Sequence, residues 1–160
     1  LLWYEEPISS DDVEGYIEIR RALNVRISGA EQLRGHRAFR RFFQERALDI
    51  AQPDVCICGG FTEFKKIAAM ASANHVRVIP HMFGTAIRMA ATLQLLANLP
   101  DVPHSNVPFP ALLEYDMSEN ALRTELALNP IVHKHGVVCV PHGPGLGIEI
   151  NREVLEKYTV

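Results

Sequence analysis

The sequence predicts an α/β fold built from parallel βα units. Short apolar runs alternate with amphipathic stretches from Leu1 to Tyr115. Each run closes on an ionisable residue, in the order Glu5, Glu31, Asp54, His81 and Glu114. No G-x-G-x-x-G follows the first run. In a parallel sheet the strand C-termini share one edge, so these five groups are expected on that edge. It is the active face of a (β/α)8 barrel. The competing architecture is an open doubly wound sheet. That fold gathers polar groups at a single switch point and prefers a glycine-rich first turn.

Taken in order, Leu1-Leu2-Trp3-Tyr4 reads as a buried strand whose end surfaces at Glu5-Glu6-Pro7. Pro7 has no N–H to continue a ladder. Ser9, Ser10, Asp11 and Asp12 supply cap and first-turn groups for a helix that ends near Asn24. Val13, Tyr16, Ile17, Ile19 and Leu23 mark its apolar face. Val25 to Ser28 is a short strand, closing at Gly29-Ala30-Glu31.

A helix is predicted from Gly35 to Ala47. Phe39, Phe42 and Phe43 form its apolar face, and Arg34, Arg37, Arg40, Arg41 and Arg46 its basic one. Acidic neighbours and the lack of interleaved aromatics make the basic face a solvated exterior rather than a nucleic-acid site. Ile50 to Asp54 is a strand. Gly59-Gly60 turns the chain, and Thr62 caps a helix reaching about Asn74. Val76 to His81 is a strand, after which Gly84 and Thr85 open an apolar core helix from Ala86 to Leu99.

A proline-rich loop runs from Pro100 to Pro110, followed by a strand at Ala111 to Tyr115. Val137 to Val140 is a short strand. Pro141 to Gly147 is a compact loop, Ile148 to Ile150 is extended, and Glu153 to Tyr158 forms a last helical turn.

Composition narrows the class. With 160 residues, 48% apolar and 22% charged, the chain has the make-up of an ordinary globular domain with a core. A net charge of −3 offers no electrostatic case for nucleic acid or an anionic membrane. No run is long and apolar enough to span a bilayer. Three cysteines, Cys56, Cys58 and Cys139, cannot all pair, and read as reduced, buried thiols of a cytoplasmic protein. The chain starts without Met inside an apolar strand, which reads as a piece of a longer protein.

Glu5 and Glu31 are hard oxygen donors at the ends of adjacent strands. Such donors suit Mg2+, with a third ligand expected. The plainer alternative is that each glutamate pairs with an arginine or caps a loop. Asp54 and His81 end the next two strands. A carboxylate bonded to one imidazole nitrogen fixes the tautomer and raises the basicity of the other, which makes His81 a general-base candidate. His36, His75, His104, His133, His135 and His142 fall in helices, loops or the tail and suit surface or structural roles. Mg2+ with a histidine base points to removal of the proton next to a carboxylate, with the metal stabilising the enediolate that forms. Glu114, if protonated, donates a hydrogen bond to the same intermediate.

The motifs Trp3-Tyr4-Glu5-Glu6-Pro7, Gly29-Ala30-Glu31, Gln52-Pro53-Asp54 with Gly59-Gly60, Pro80-His81, Leu113-Glu114-Tyr115 and Pro144-Gly145-Leu146-Gly147 together resemble the mandelate racemase-like group of the enolase superfamily. The resemblance covers essentially the whole chain. It implies the C-terminal portion, about strands 4–8, of a modified TIM barrel, with 1–136 as the partial barrel and 137–160 as a C-terminal tail. It implies that Glu5 and Glu31 are Mg2+ ligands and that Asp54 and His81 form the catalytic dyad. Glu114 would be the acid that bonds the substrate carboxylate. The dyad argues against the muconate cycloisomerase and dipeptide epimerase branches, which carry a lysine base.

Many members of the group are acid-sugar dehydratases, and others are racemases or epimerases of 2-hydroxy acids. A catalytically silent fragment or structural subunit is the reading from a different class. The implied partners are a small carboxylate substrate and further copies of the full-length chain. The resemblance also places a capping domain, an aspartate ligand and a second, lysine base outside this sequence. The segment alone is therefore expected to associate and to turn nothing over. Ala30 departs from the pattern, since members usually have glycine directly before the third ligand.

Overall fold

The computed structural model describes residues 1–99 and 110–159. It is an α/β structure with a parallel sheet, and it divides into two compact units. The first comprises Leu1–His81 with the described part of Leu99–Leu112; the second comprises Met82–Asn98 with the described part of Leu113–Val160.

The first unit is a four-stranded parallel sheet in the order β1 (Tyr4–Glu5), β2 (Ile27–Gly29), β3 (Ile50–Ala51) and β4 (Arg77–Val78). Spatial order follows chain order because a helix returns the chain after each of the first three strands: α1 (Val13–Ala22), α2 (Gly35–Gln44) and α3 (Gly60–Ala73). Tyr4 sits opposite Ile27, Ser28 opposite Ile50 and Ala51 opposite Val78. The ladder continues past the regular strands through Glu6 N–H to Ser28 C=O at 3.0 Å, Gln52 N–H to Gly29 C=O at 2.9 Å and Ile79 N–H to Ala51 C=O at 3.1 Å. This register carries the acid-bearing segments to a common edge.

The helices form where caps and apolar spacing agree. Asp12 caps α1 by accepting from the Gly15 N–H at 2.9 Å. Tyr16 of α1 is fully buried and meets Phe42 of α2 edge to face, with ring centroids 5.3 Å apart. Phe39, Phe42 and Phe43 lie in the core while Arg34, Arg37, Arg40, Arg41 and Arg46 are exposed, as the two-faced pattern requires. Arg41 forks onto the Glu14 carboxylate, tying α2 to α1. Glu63 of α3 accepts from His36 Nδ1 at 2.6 Å, from the His36 N–H at 3.0 Å and from Lys66 Nζ at 2.6 Å.

Several expectations are corrected. The Leu1–Tyr4 run is not a buried strand. Leu1, Leu2 and Tyr4 are exposed, and among the described residues β1 pairs with β2 alone. Thr62 does not cap α3, which starts earlier, at Gly60. Gly59, at φ +112°, turns into the helix without a side-chain cap. Of the three free cysteines only Cys58 is buried; Cys56 lies on an exposed turn and Cys139 follows an exposed hairpin strand. Cys58 is driven up to about 11 by burial and then by the Asp54 charge, so its thiol stays neutral. The proline-rich loop and His104 fall largely or wholly outside the described residues.

The second unit packs around α4 (Ala86–Leu96), capped as expected by Thr85. α4 stops earlier than Leu99. Ala86 meets Leu126, Ala127 and Val154, while Met89 and Leu93 meet Leu113, Tyr115, Ile131, Val138 and Val140. Ala111–Tyr115 is not a strand. Pro110 has no N–H to give a ladder, and Glu114 is fixed through its side chain, accepting from the Met82 N–H at 2.9 Å. The short helix α5 (Ala121–Thr124), the strand β5 (His133–Lys134) and its hairpin pairing with β6 (Val137–Val138) were not anticipated; β6 itself lies within the predicted Val137–Val140 strand. His135 and Gly136 both have positive φ, which fits a two-residue primed turn. The last helix, α6 (Arg152–Lys157), is capped by Asn151.

The Pro141–Gly147 loop is held by Gln94, whose amide donates to the Pro141 carbonyl at 2.9 Å. A Cβ on Gly147 would lie 2.6 Å from that same carbonyl oxygen, at φ +75°. Gly147→Ala is therefore expected to destabilise the protein by roughly 1–3 kcal/mol, read as a lower denaturation midpoint. Glu63 provides a pH signature. Its bonds to Lys66 and His36 hold its carboxyl down at about 2, against a usual 4.5. Its stabilising effect is complete above pH 4.5 and is lost as pH falls toward 2. Glu63→Gln should flatten the unfolding free energy against pH across that window.

Candidate active site

The edge of the first unit carries Glu5, Glu6, Glu31, Asp54 and His81, each just at or beyond a strand end. Asp54 is completely buried. One carboxylate oxygen accepts from the Cys56 N–H at 2.7 Å, and the other meets His81 Nδ1 at 2.7 Å. The Asp54 carbonyl also accepts from the Ile57 and Cys58 N–H groups at 3.1 and 2.7 Å. The turn thus folds around the acid. An ionised carboxylate only accepts, so an ionised Asp54 places a proton on Nδ1, and in the neutral ring Nε2 then has the lone pair. His81 Nε2 lies 3.5 Å from Glu31 Oε2, too far for a strong hydrogen bond.

At the neighbouring strand ends, Glu5 Oε2 accepts from Gln52 Nε2 at 2.8 Å and from Trp3 Nε1 at 3.0 Å. Glu6 bends back at φ +38° and accepts from the Ala30 N–H at 3.1 Å. Burial first, and then the Glu31 charge, push Glu6 above the ordinary carboxylate range, with Glu5 adding to the effect. The buried Tyr16 hydroxyl feels the same charges and is driven upward, chiefly by burial. Ala30, wholly buried at φ +76°, explains why glycine suits that position: an L residue there costs roughly 1–2 kcal/mol.

Among the described residues no Lys or Arg pairs with Glu5, Glu6 or Glu31. Hard oxygens crowded together without a counter-cation fit a divalent ion of the Mg2+ kind, which takes one or two carboxylates and completes its shell with water and substrate. Among the described residues no three His, Cys, Asp or Glu side chains converge on one metal position. Glu114 belongs to the second unit, where its carboxylate accepts from the Met82 N–H.

Glu5, Glu31, Asp54 and His81 thus share one unit and one edge. The direct approach of His81 to Glu31 and the two donors on Glu5 were not foreseen. Gln52 was visible only as part of a motif, and Trp3 only as an apolar strand residue and a motif member, neither as a donor to Glu5.

A model of the enolase C-terminal domain-like family matches residues 1–154. This chain belongs to that family. It is 37% identical to the D-galactarolactone cycloisomerase of Agrobacterium fabrum over 156 residues, covering 98% of this chain and 41% of that protein. It is 35% identical to the D-gluconate dehydratase of Thermoproteus tenax, covering 96% of this chain and 30% of that enzyme. A crystal structure from Bordetella bronchiseptica RB50, described as a mandelate racemase complexed with 2-oxoglutarate/phosphate, superposes with a TM-score of 0.89 at 36% identity. That match covers 99% of this chain and 40% of the other. The chain therefore spans less than half the length of these relatives. Its fold is that of the C-terminal barrel portion of enolase-superfamily proteins, in the mandelate racemase-like group.

Proposed function

We propose that this chain supplies the proton-abstracting half of an acid-sugar dehydratase. In this reading 1–136 are the later βα units of the barrel and 137–160 its tail, with the capping domain and first strands lying upstream in the full-length enzyme. The observation that carries it is the Asp54–His81 pair, with Asp54 fully buried and 2.7 Å from Nδ1. Such a pair presents a basic Nε2 at the strand edge that also carries the carboxylates.

His81 Nε2 takes the proton α to the substrate carboxylate. Asp54 holds the ring in place and stabilises the imidazolium that results. The electron pair left on carbon becomes the enediolate, then expels the β-hydroxyl, which takes the proton back from the His81 imidazolium and leaves as water. The enol tautomerises to a 2-keto-3-deoxy acid. Glu5 and Glu31 would hold Mg2+, whose positive charge offsets the second negative charge of the enediolate. For Glu114 the resemblance alone carries the role of bonding the substrate carboxylate. The dehydratase among the relatives and the dicarboxylate in the Bordetella structure support a small carboxylate substrate.

A second reading is favoured by the cycloisomerase relative. If the β-oxygen belongs to a ring, the same proton transfer opens the ring and no water is lost. Racemisation or epimerisation of a 2-hydroxy acid shares the first step as well. Incubating the full-length enzyme with acid sugars and their lactones in deuterated water separates these readings. Loss of water gives a keto acid, ring opening conserves mass, and racemisation exchanges the α-proton alone.

His81→Asn is expected to lower turnover by roughly 100- to 10,000-fold and to leave Mg2+ binding within about twofold of the parent. Turnover kept in the variant would remove His81 as the base. Glu5→Gln and Glu31→Gln should each weaken Mg2+ binding, measured by calorimetry, by roughly 10-fold or more. Unchanged affinity in both would sink the metal assignment.

A further inference from the structure

Gln52 has a place in the site that its position in the strand does not require. Its side chain is 2% exposed. Its Nε2 donates to Glu5 Oε2 at 2.8 Å, reaching across β2 to an acid 47 residues earlier in the chain. Its backbone N–H is given to the Gly29 carbonyl, two residues before Glu31. It precedes Asp54 by two residues. Its Oε1 is buried with no hydrogen-bond partner among the described residues. An apolar side chain of the same size would fill the space without an orphaned acceptor, which a fold ordinarily avoids. The donor given to Glu5 is what the amide adds.

We propose that Gln52 is the positioning residue for the cation. It pins Oε2 of Glu5 and so directs the remaining oxygen, Oε1, to the metal. The half-buried Trp3 completes the pin, since its Nε1 meets the same Oε2 at 3.0 Å. A carboxylate at a strand end otherwise rotates freely about its last bonds. Fixing it before the ion arrives removes that freedom from the binding step. The proposal rests on the reading of Glu5 as a Mg2+ ligand.

The test is Mg2+ titration by calorimetry on the full-length protein, comparing the parent with Gln52→Met and Trp3→Phe. Thermal melts without metal serve as the check of folding. Gln52→Met should keep a cooperative melt near that of the parent and lose roughly 10- to 100-fold in Mg2+ affinity. Trp3→Phe, which leaves the core untouched, should lose affinity by a smaller factor, because Gln52 still holds the oxygen. It keeps the test open if Gln52→Met does not fold. Affinity equal to the parent's in every variant that folds overturns the proposal. A parent that binds no Mg2+ overturns the metal reading beneath it.

Discussion

A carboxylate with no exposure to water sets the terms for the first unit. Asp54 is sealed from solvent, and an isolated charge in that position would cost several kcal/mol. The chain answers by wrapping the 54–58 turn around it and by ending the next strand with His81, whose Nδ1 lies 2.7 Å away. The turn needs Gly59 and Gly60 at positive φ to lead into α3. The register of β3 against β4, Ala51 opposite Val78, sets the height at which His81 arrives. Removing the imidazole would leave a buried charge missing a main partner, a loss of roughly 3–5 kcal/mol in comparable sites. The pair is therefore a structural device whichever reaction it serves, and the second ring nitrogen at the strand edge comes with it.

The order of strand-end acids was legible because parallel pairing forces it. Once runs and helices alternate, Glu5, Glu31, Asp54 and His81 have only one edge to share. Helix starts were legible where a side chain caps, as at Asp12 and Thr85. They were not where a glycine turn replaces the cap, as at Gly59. Ala111–Tyr115 has strand composition, yet what fixes Glu114 is a side-chain bond to the Met82 N–H, and composition does not carry such a contact. The β5–β6 hairpin escaped because His135 occupies a positive-φ turn position where asparagine or aspartate would have announced it. Gln52 and Trp3 escaped for another reason. Which donor reaches Glu5 depends on side-chain length across strands, a tertiary fact with no local signature.

Backbone geometry separates Glu5 from its neighbour Glu6. Glu6 turns at φ +38° and spends its carboxyl on the Ala30 N–H, while Glu5 stays in the ladder with its carboxylate held by side chains alone. The Glu6 bond spans the two strand ends and fixes Ala30 in its left-handed conformation. Two neighbouring residues with positive φ are thus held by one hydrogen bond, and strain of this kind persists only where the surroundings over-determine it.

The charge balance of the edge gives this arrangement its direction. Burial together with the Glu31 and Glu5 charges pushes Glu6 upward, so near neutral pH the folded state holds an acid that its surroundings would rather see neutral. The Tyr16 hydroxyl, buried beneath and without a partner among the described residues, feels the same field. A divalent cation bound by Glu5 and Glu31 would reverse the local potential and relieve Glu6 of its nearest repulsion. Because the unfolded chain has no such cluster, the ion would favour the folded state by mass action, by roughly 2.7 kcal/mol at a hundred times its dissociation constant. The like-charge crowding at this edge is, in the proposed reading, the same quantity that binds the metal. Gln52 then matters before binding and not after, because it holds one acid in line while repulsion from its neighbours would turn it away.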